Sequence, residues 1–555
     1  MASKVASRGL ILLAAAATLV GSVACGTESS PERAAPPARQ LMLVDVADEV
    51  GLRFRHGAFR WGESADAPAM TGGGVCWLDY DGDGWLDLFV VNGHSRNERD
   101  EWEARGGLPT TRLFRNQDGR FTDVTEETGA AVALRGQGCV AADLDSDGHT
   151  DLYVTGADRS TLLWNDGDEF TEAEEESGVR VFGWHTGAAA GDIDGDGRLD
   201  LLVSGYVDEA NRIPEAQLGF PNTYAGRRDL LFLNEGDRKF REVGREAGLE
   251  VVRFAYGLGV VLADFERDGD LDISVANDTN PDRLYENVRW PGRVAADPAG
   301  LGFRFEERAA AAGVADPGAG MGLAIADWDG DGRSDVFVSN SRGQGHGLFR
   351  SNPPDENDPS FTDVRADAGI DLERSTGWGA SWADLDHDTD LDLVLVNGYI
   401  PVTDLRKDAE PLQVFRNLLA EGREGSFEEA RAAVRGVGRL VARGSAAADY
   451  DNDGDLDVAV LPLGRPLVLL ENRGAAGSWL EVALEGSPPG AEVTVNGLRR
   501  ELQAGSSYLS GEDPHLHFGL GDATVVREVR VRWPGGEETI LENIEPNQIL
   551  EVESP

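Results

Sequence analysis

Positive charge is scarce in this 555-residue chain. Its 51 Lys and Arg residues are outnumbered by 99 Asp and Glu residues, so the net charge is −48. Nucleic-acid-binding proteins usually carry a basic stripe, and this sequence has none with interleaved aromatic residues. Nucleic acid is therefore not an expected partner.

Signatures of common hydrolases are also missing. The eight histidines are scattered, and the sequence has neither an H-E-x-x-H motif nor a serine in G-x-S-x-G. His515 and His517 would share one face of a predicted strand, where they either bind a metal or form a buried structural pair, and the second interpretation is favoured. We assign no catalytic residue and expect a protein that is not an enzyme.

Cysteine is rare too, with three in the chain. Cys25 follows an apolar stretch at residues 10–24 that is typical of a secretory signal. Residues 1–24 are the predicted signal peptide, and the Ser-, Pro- and Ala-rich residues 25–40 a tether. The residues around Cys25 resemble a lipobox, so lipid modification of Cys25 is favoured over plain cleavage after Ala24. We expect an outer-membrane or cell-surface lipoprotein, otherwise a secreted or periplasmic protein.

One acidic motif dominates what is present. D-x-[DE]-x-D-[GT]-x-x-D occurs seven times, at intervals of 49 to 72 residues, so each copy belongs to a separate structural repeat. We call the nine-residue copies loops 1 to 7; they begin at Asp79, Asp143, Asp192, Asp264, Asp327, Asp384 and Asp449.

The spacing within each loop suits a hard cation. Calcium takes six to eight oxygens, and carboxylates at positions 1, 3, 5 and 9, with a backbone carbonyl at position 7, can surround one ion. The ligands predicted for loop 1 are Asp79, Asp81, Asp83, the carbonyl of Trp85, and Asp87. In the other loops they are Asp143, Asp145, Asp147, His149 and Asp151; Asp192, Asp194, Asp196, Arg198 and Asp200; Asp264, Glu266, Asp268, Asp270 and Asp272; Asp327, Asp329, Asp331, Arg333 and Asp335; Asp384, Asp386, Asp388, Asp390 and Asp392; and Asp449, Asp451, Asp453, Asp455 and Asp457. We predict up to seven structural calcium ions.

Two other interpretations of the motif are less satisfactory. An EF-hand needs a glutamate at position 12, where this chain has valine or leucine in every loop. Ordinary Asp-Gly turns do not require four carboxylates in fixed register seven times. Loops 4 and 6 are expected to be weak or empty, because loop 4 contains Glu266 followed by Arg267, and loop 6 has Thr389 where the others have glycine.

The segments around each loop predict a propeller blade. A glycine stands five residues before each first aspartate and is followed by small or apolar residues, as expected for an inner strand near an axis. Three further β-rich segments follow, and four strands per repeat is typical of a β-propeller. We therefore predict an all-β, seven-bladed calcium-loop propeller. The outermost segments begin at Leu43, Phe121, Phe170, Phe240, Phe305, Phe361 and Phe427, so the strand at 43–46 must close blade 7.

Residues 70–92 and 113–129 resemble FG-GAP/VCBS repeats, the calcium-loop propellers also found in integrin α-chains. Three C-terminal stretches, GSSYLS, HFGLG and VRVRWPG, resemble the ASPIC/UnbV module. The whole mature chain is thus similar to the cartilage acidic protein (CRTAC1-like) family. The resemblance implies a propeller at 41–473, with residues 41–47 closing blade 7, and an ASPIC/UnbV domain at 474–555. Alternating apolar residues and Gly or Pro breaks predict that this domain is a small β-sandwich-like unit.

Cys76 and Cys139 lie on the predicted inner strands of blades 1 and 2, three and four residues before their loops. They would project from opposite faces of successive blades, which can meet. Either they form a disulfide or they remain buried thiols, and the thiols are favoured.

Long insertions fall on the face opposite the loops, at residues 53–71, 93–111, 205–229 and 398–413. We call this the insertion face. Its aromatic residues either bind a protein or carbohydrate ligand or pack among themselves to order the insertions; they are Phe59, Trp61, Trp102, Tyr206, Phe220, Tyr224 and Tyr399. The expected function is adhesion or ligand binding at the cell surface, and the alternative is a secreted carbohydrate-active enzyme, a polysaccharide lyase or hydrolase, that uses the insertion face.

Overall fold

The computed structural model describes residues 41–61, 66–167, 169–214, 216, 219–249, 255–290, 297, 299–354, 359–369 and 372–555. The expected signal peptide, the tether and Cys25 lie outside these ranges. The described residues form many small β-sheets and a few short helices, which confirms the all-β class.

Seven of the sheets are propeller blades, numbered 1 to 7 in chain order. Their first strands are Val75–Leu78, Gly136–Ala142, His185–Gly191, Gly257–Ala263, Gly320–Ala326, Gly377–Ala383 and Ala442–Ala448. Their second strands are Asp87–Val90, Asp151–Gly156, Asp200–Gly205, Asp272–Asn277, Asp335–Asn340, Asp392–Asn397 and Asp457–Pro462. Their third strands are Arg112–Gln117, Arg159–Asn165, Leu230–Gly236, Arg283–Arg289, Gly347–Ser351, Gln413–Asn417 and Val468–Asn472. The fourth strands of blades 1 to 6 are Arg120–Asp123, Phe170–Glu172, Lys239–Glu242, Phe303–Glu307, Phe361–Asp363 and Phe427–Glu429.

The blades form a closed ring. Each first strand contacts the first strand of the next blade, and that of blade 7 contacts that of blade 1. The fourth strand of blade 7 is Leu43–Asp45, which pairs antiparallel with Val468–Asn472 so that Leu43 lies opposite Asn472. The first described strand thereby completes blade 7 and closes the ring.

The remaining propeller elements are short. Val181–Phe182 extends blade 2, Val434–Arg435 runs parallel to Leu43–Asp45, and Val207–Arg212 pairs with Tyr224–Gly226 as a separate hairpin. The α-helices are Ala47–Val50, Ala67–Thr71, Arg99–Ala104, Thr125–Thr128 and Ala309–Ala312, and the 3₁₀ helices are Arg96–Glu98 and Glu175–Ser177. None of the described helices is both long and apolar enough to cross a membrane.

Hydrophobic cores lie between successive blades, because each blade presents apolar side chains on both faces. Between blades 7 and 1, for example, Trp77 and Phe121 of blade 1 pack with Tyr450 and Leu469 of blade 7. Equivalent clusters fill the spaces between other successive blades. The fold is therefore stabilised mainly at the seams between blades.

The C-terminal domain contains two sheets packed on a core of its own. Leu516–Gly521, Ser478–Leu484 and Ile549–Val552 form one sheet, in that order. The other has the order Leu498–Glu501, Glu492–Val495, Val526–Arg532 and Glu538–Ile544.

A segment of this domain enters the centre of the propeller. We call residues 504–513 the axis segment, because they bond to the first strands of six blades. The bonds include Trp77 N to Gly511 O (3.1 Å), Cys139 N to Leu509 O (3.2 Å), Ala190 N to Ala504 O (3.0 Å), Leu323 N to Ser507 O (2.9 Å), Ala380 N to Ser507 Oγ (3.0 Å) and Asp513 N to Ala447 O (3.0 Å). The axis is thus filled by chain from the C-terminal domain.

Close packing explains the glycine five residues before the loops: the axis segment lies against Gly74 and Gly138, and the first strand of the next blade lies against Gly187, Gly259 and Gly379. A Cβ at Gly74 would lie 1.9 Å from the carbonyl oxygen of Leu509, and one at Gly138 would lie 2.7 Å from the Cβ of Leu509. Any larger residue at these positions would push the segment out of the axis.

Cys76 and Cys139 form a disulfide between the first strands of blades 1 and 2, with their Cα atoms 6.2 Å apart. The expectation of two buried thiols was wrong. Both residues belong to the core between these two blades, where the opposite faces of the two strands meet.

Candidate metal centres

The first aspartate organises every loop. In loop 1, Oδ1 of Asp79 accepts hydrogen bonds from the backbone N–H groups of Gly82 (2.9 Å) and Asp83 (3.1 Å), and Oδ2 accepts one from Gly84 (2.9 Å). Bonds from the fifth and sixth backbone N–H groups recur in all seven loops. The loop is closed around the carboxylate that is predicted as its first ligand.

The predicted ligands at positions 5 and 7 are also arranged in the same way in every loop. The side chain at position 5 accepts a hydrogen bond from the backbone N–H of position 7, as in Trp85 N to Asp83 Oδ1 (3.1 Å). The same bond forms in loops 2 to 7, at His149, Arg198, Asp270, Arg333, Asp390 and Asp455. The structure therefore gives the seven loops one common backbone conformation.

The aspartate at position 9 is buried and ties each loop to the third strand of its blade. Asp87 is fully buried, and its two oxygens accept from the backbone N–H groups of Asn116 (2.7 Å) and Tyr80 (3.0 Å). In every other blade the residue at the end of the third strand donates to the equivalent aspartate.

The residue that makes this bond is asparagine in six blades, and its side chain reaches the preceding blade. Asn165 Nδ2 donates to Tyr80 O in loop 1 (2.8 Å), and Asn472 Nδ2 donates to Leu385 O in loop 6 (2.8 Å). Equivalent bonds start from Asn116, Asn234, Asn287 and Asn417, while blade 5 has Ser351. Six of the seven loops are thereby fixed to the next blade, a role that the sequence analysis missed although the asparagine recurs in the sequence.

The side chains at positions 1, 3 and 9 converge. Ligand atoms of Asp79, Asp81 and Asp87 lie within 4.8 Å of one another, as do those of the same positions in loops 2, 3 and 5. In loop 6, Asp384, Asp386 and Asp388 make such a cluster. The predicted carboxylates are thus close enough to share one ion.

The buried oxygens of these clusters fit a hard cation. Oδ1 of Asp81, Oδ2 of Asp335 and Oδ2 of Asp457 are buried without a hydrogen-bond partner among the described residues. Burial raises the pKa of Asp87, and equally that of Asp151 and Asp200, to about 8, so their charged forms need a compensating positive charge. Oxygen-only donor sets of this kind suit calcium.

The seven loops lie in two environments. The first aspartates of loops 1 to 3 are half-buried, whereas Asp264, Asp327, Asp384 and Asp449 of loops 4 to 7 are buried. The difference arises because the C-terminal domain lies over loops 4 to 7. Among its contacts are Arg532 Nη2 to Asp264 Oδ2 (3.0 Å), Arg499 Nη1 to Ser334 Oγ (2.8 Å), Gly521 N to His387 O (2.9 Å) and His517 Nε2 to Gly454 O (2.8 Å).

Loops 4 and 6, which are predicted to bind metal weakly or not at all, have unusual features in the structure as well. Oε1 of Glu266 is buried without a partner among the described residues, and burial raises the pKa of this carboxyl. Asp264 already accepts from Arg532. In loop 6, Thr389 has φ 89°, a left-handed conformation that glycine adopts with less strain. Weak or absent binding at these two loops stays a prediction.

His515 and His517 have different partners. His515 lies just before the strand Leu516–Gly521, not within it as expected, and its ring is 3.4 Å from Asp513. His517 is on the strand, and its ring lies 5.1 Å from that of His387. These contacts support structural roles for both residues.

Most insertion-face aromatics pack on one another. Tyr206 is buried and contacts Trp184 and Phe220, with ring centroids 4.8 and 6.0 Å away. Trp61 lies 4.3 Å from Trp102. Phe59 is buried, Tyr224 contacts Phe220, and Tyr399 lies under the guanidinium of Arg342. Ordering of the insertions therefore accounts for most of this set.

A groove of about 880 Å³ beside blade 3 offers a different kind of surface. It is lined by five arginines: Arg180, Arg212, Arg227, Arg228 and Arg245. Arg228 pairs with Glu242, but Arg212 and Arg245 make no ion pair with any described residue. Phe182 lines the same groove and is 68% exposed. Sequence reasoning missed this group because its members are spread over residues 180–245 with no regular spacing.

Comparison with protein families places both parts of the chain. A model of the FG-GAP-like repeat matches residues 79–154 and 143–203, and a model named ASPIC and UnbV matches residues 472–555. The chain combines FG-GAP-like repeats with an ASPIC/UnbV domain. The predicted resemblance is thereby confirmed, and we now call residues 474–555 the ASPIC/UnbV domain.

Curated relatives match part of the chain. The chain is 26% identical to cartilage acidic protein 1 of Homo sapiens over 333 residues, which cover 59% of this chain and 40% of that protein. It is 25% identical to cartilage acidic protein 1 of Xenopus tropicalis over 334 residues, covering 59% and 41%. The match thus spans about two fifths of the length of these relatives.

Among solved structures, a lectin of Agrocybe aegerita that recognises non-reducing terminal N-acetylglucosamine matches with a TM-score of 0.36 and 16% identity, over 64% of this chain and 82% of that one. The V. cholerae biofilm matrix protein Bap1 matches with a TM-score of 0.32 and 13% identity, over 92% and 71%. Likenesses at these scores carry no functional argument.

Proposed function

We propose that this FG-GAP-repeat protein is an exported, calcium-stabilised propeller that binds a protein or carbohydrate ligand in adhesion at the cell surface. Calcium is structural and takes part in no reaction. Lipid modification of Cys25 would hold the protein at the membrane, and export would supply it with calcium in the millimolar range.

The observation that carries the proposal is the common geometry of the seven loops. Each closes around an aspartate at position 1 and ties a buried aspartate at position 9 to the third strand. Four or five carboxylates in so small a space repel one another unless a cation is bound, so binding and folding are coupled. Extracellular modules bind calcium with a Kd of about 0.1 to 1 mM, so about 1 mM calcium stabilises each tighter site by about 1.4 kcal/mol.

The insertion face supports the ligand-binding part. The arginine groove beside blade 3 combines exposed guanidinium groups with the exposed ring of Phe182. Aromatic rings and arginines provide much of the binding energy at protein surfaces. The rigid ring of blades would hold this groove in one shape, with the calcium loops on the opposite face.

Thermal unfolding of the mature protein, first in chelator and then in about 1 mM calcium, tests the calcium part. Bound metal is counted by native mass spectrometry. We expect a large upward shift of Tm and five to seven bound calcium ions. An unchanged Tm with no bound metal would show that the loops are only turns.

The ligand part needs its own test. The calcium-loaded protein is applied to arrays of glycans and of extracellular proteins, beside a double variant, Arg212→Gln with Arg245→Gln. Arg53→Gln is the matched control, because Arg53 is an exposed arginine of another insertion and pairs only with the equally exposed Asp48 among described residues. Binding that the double variant loses and the control keeps supports the proposal; no ligand on either array contradicts it.

A further inference from the structure

Loop 7 differs from the other loops in how its charge is balanced. In loops 1 to 6 an arginine lies within 4.0 Å of at least one aspartate, such as Arg115 beside Asp81 (2.8 Å) or Arg289 beside Asp270 (2.7 Å). Among the described residues, no Lys or Arg lies within that distance of the five aspartates of loop 7. The imidazole of His387 lies 3.6 Å from Asp455 and would add positive charge only when it is protonated.

The ASPIC/UnbV domain adds further carboxylates at this point. Glu481, in the strand Ser478–Leu484, is 1% exposed, and both of its carboxylate oxygens are buried without a hydrogen-bond partner among the described residues. Asp513 is fixed beside the loop, because its Oδ2 accepts from Asp449 N (3.1 Å) and its own N–H donates to Ala447 O (3.0 Å). Glu481 therefore brings a fully desolvated carboxyl group to a region that is already acidic, and burial raises the pKa of this group well above its usual range.

Side chains of this strand and of the strand beside it hold Glu481 next to loop 7. Glu481 is paired in the sheet with His517, whose Nε2 is 2.8 Å from the carbonyl oxygen of Gly454 in the loop. The ring of Trp479 covers the same glycine so closely that a Cβ there would lie 1.9 Å from it. The electrostatic neighbours of Glu481 are Asp449, Asp453 and Asp513, all negative.

An isolated carboxylate in such a site is strongly unfavourable, so it either takes up a proton or binds a cation that neutralises it. Two oxygens of the loop, Oδ1 of Asp451 and Oδ2 of Asp457, are likewise buried and without partners among the described residues. Oxygens from the loop and from the domain are therefore available to the same positive charge, and such a donor set suits a hard divalent cation.

We propose that the cation of loop 7 is shared between the propeller and the ASPIC/UnbV domain, with Glu481 as a ligand from the domain and Asp513 as a second carboxylate beside it. This inference rests on the proposed calcium loops. It makes the docking of the domain, and with it the placement of the axis segment, dependent on calcium. Loop 7 then acts as a cation-dependent joint between the two parts of the molecule, whereas loops 4 to 6 contact the domain through hydrogen bonds.

The test compares Glu481→Gln with the native protein. Glu551→Gln is the matched control, because Glu551 is exposed on the strand next to that of Glu481. Thermal unfolding is measured in chelator and in calcium, and bound calcium is counted by native mass spectrometry. We expect Glu481→Gln to raise Tm in chelator, because it removes a buried carboxyl group that must otherwise be protonated or remain an unbalanced charge, and to lower Tm in calcium.

Glu481→Gln should also lose one bound calcium ion, or bind it about tenfold more weakly, since affinity follows the number of charged ligands. Equal shifts of Tm in both solutions, with the full number of calcium ions retained, would show that Glu481 is only structural and would overturn the inference. If the native protein binds no calcium, the proposed function fails as well; if only the joint fails, the native protein still binds its ions.

A second measurement does not depend on the folding of Glu481→Gln. Terbium(III) replaces calcium in oxygen sites and emits when a nearby tryptophan is excited, and Trp479 contacts loop 7. Trp479→Phe should therefore reduce terbium emission in the folded protein. Emission equal to that of the native protein would place no ion beneath Trp479 and would contradict the shared site.

Discussion

Blades 1 to 3 and blades 4 to 7 carry the same acidic loop in two different settings. Loops 1 to 3 face solvent, and arginines of neighbouring strands and turns, such as Arg115 and Arg238, offset part of their charge. Loops 4 to 7 are covered by the ASPIC/UnbV domain, which brings its own arginines, histidines and carboxylates.

The two halves are also fastened differently. A disulfide joins blades 1 and 2, whereas the domain bridges blades 4 to 7 and sends the axis segment through the centre. Loops of one sequence pattern thus have different neighbours: among the described residues, the open loops contact only the propeller, and the covered loops also contact a second domain.

The largest effect is expected from the axis segment, which links the two halves. Tyr508 is fully buried, its hydroxyl donates to Thr71 O (2.8 Å), and its ring lies 4.8 Å from that of Trp378. Tyr508→Ala should cost about 3 to 5 kcal/mol of unfolding free energy, measured by denaturant unfolding in calcium. Tyr508→Phe, which loses only the hydroxyl bond, is the control and should cost about 1 kcal/mol. Equal losses would mean that the ring is not packed in the axis.

The next largest loss of stability is expected from removing the disulfide that joins blades 1 and 2. Replacing both Cys76 and Cys139 by alanine should lower the unfolding free energy by about 2 to 5 kcal/mol, since the disulfide closes a long loop in the unfolded chain. The loss should be the same in calcium and in chelator, because neither cysteine is a predicted metal ligand. Mass spectrometry that finds both thiols alkylated without reductant would refute the link itself.

Replacing the asparagine that joins two blades should cost less unfolding free energy, and the cost should be equal in the two halves. Asn165→Ala removes the bond to Tyr80 O in open loop 1, and Asn472→Ala removes the bond to Leu385 O in covered loop 6. Each leaves a backbone carbonyl without its partner and should cost about 1 to 3 kcal/mol in denaturant unfolding. Gln117→Ala, at an exposed strand end, is the control and should change little. An effect confined to one half would show that the other is not held in this way.

The smallest effect is expected from replacing an arginine that offsets part of the negative charge of an open loop. Arg115 pairs with Asp81 (2.8 Å) and Asp83 (3.1 Å) but its side chain is 40% exposed. Arg115→Gln should cost less than about 1 kcal/mol in chelator. It should also widen the Tm difference between calcium and chelator, because the arginine and the ion compensate the same carboxylates. A narrower difference would mean that Arg115 assists calcium binding.

The loops could be predicted from the sequence because their chemistry is local: positions 1 to 9 contain the carboxylates and the bend. The all-β class followed from the repetition of four β-rich segments around them. The axis segment left only an indirect trace at Gly74 and Gly138, because Leu509, which approaches both glycines, lies hundreds of positions further along the chain. Pairing of Cys76 with Cys139 depends on how two blades face each other. The environment of Glu481 depends on the docking of a whole domain. Neither feature leaves a periodic pattern in the sequence.

Calcium in the loops, which we propose, and the ASPIC/UnbV domain over four of them can be tested together. The most direct test is to follow calcium loss by native mass spectrometry after chelator is added to the calcium-loaded protein. We expect two steps, with the ions of loops 1 to 3 leaving first and those beneath the domain leaving later. Loss of all ions at a single rate, or a protein that contains no calcium before chelator is added, would contradict the account.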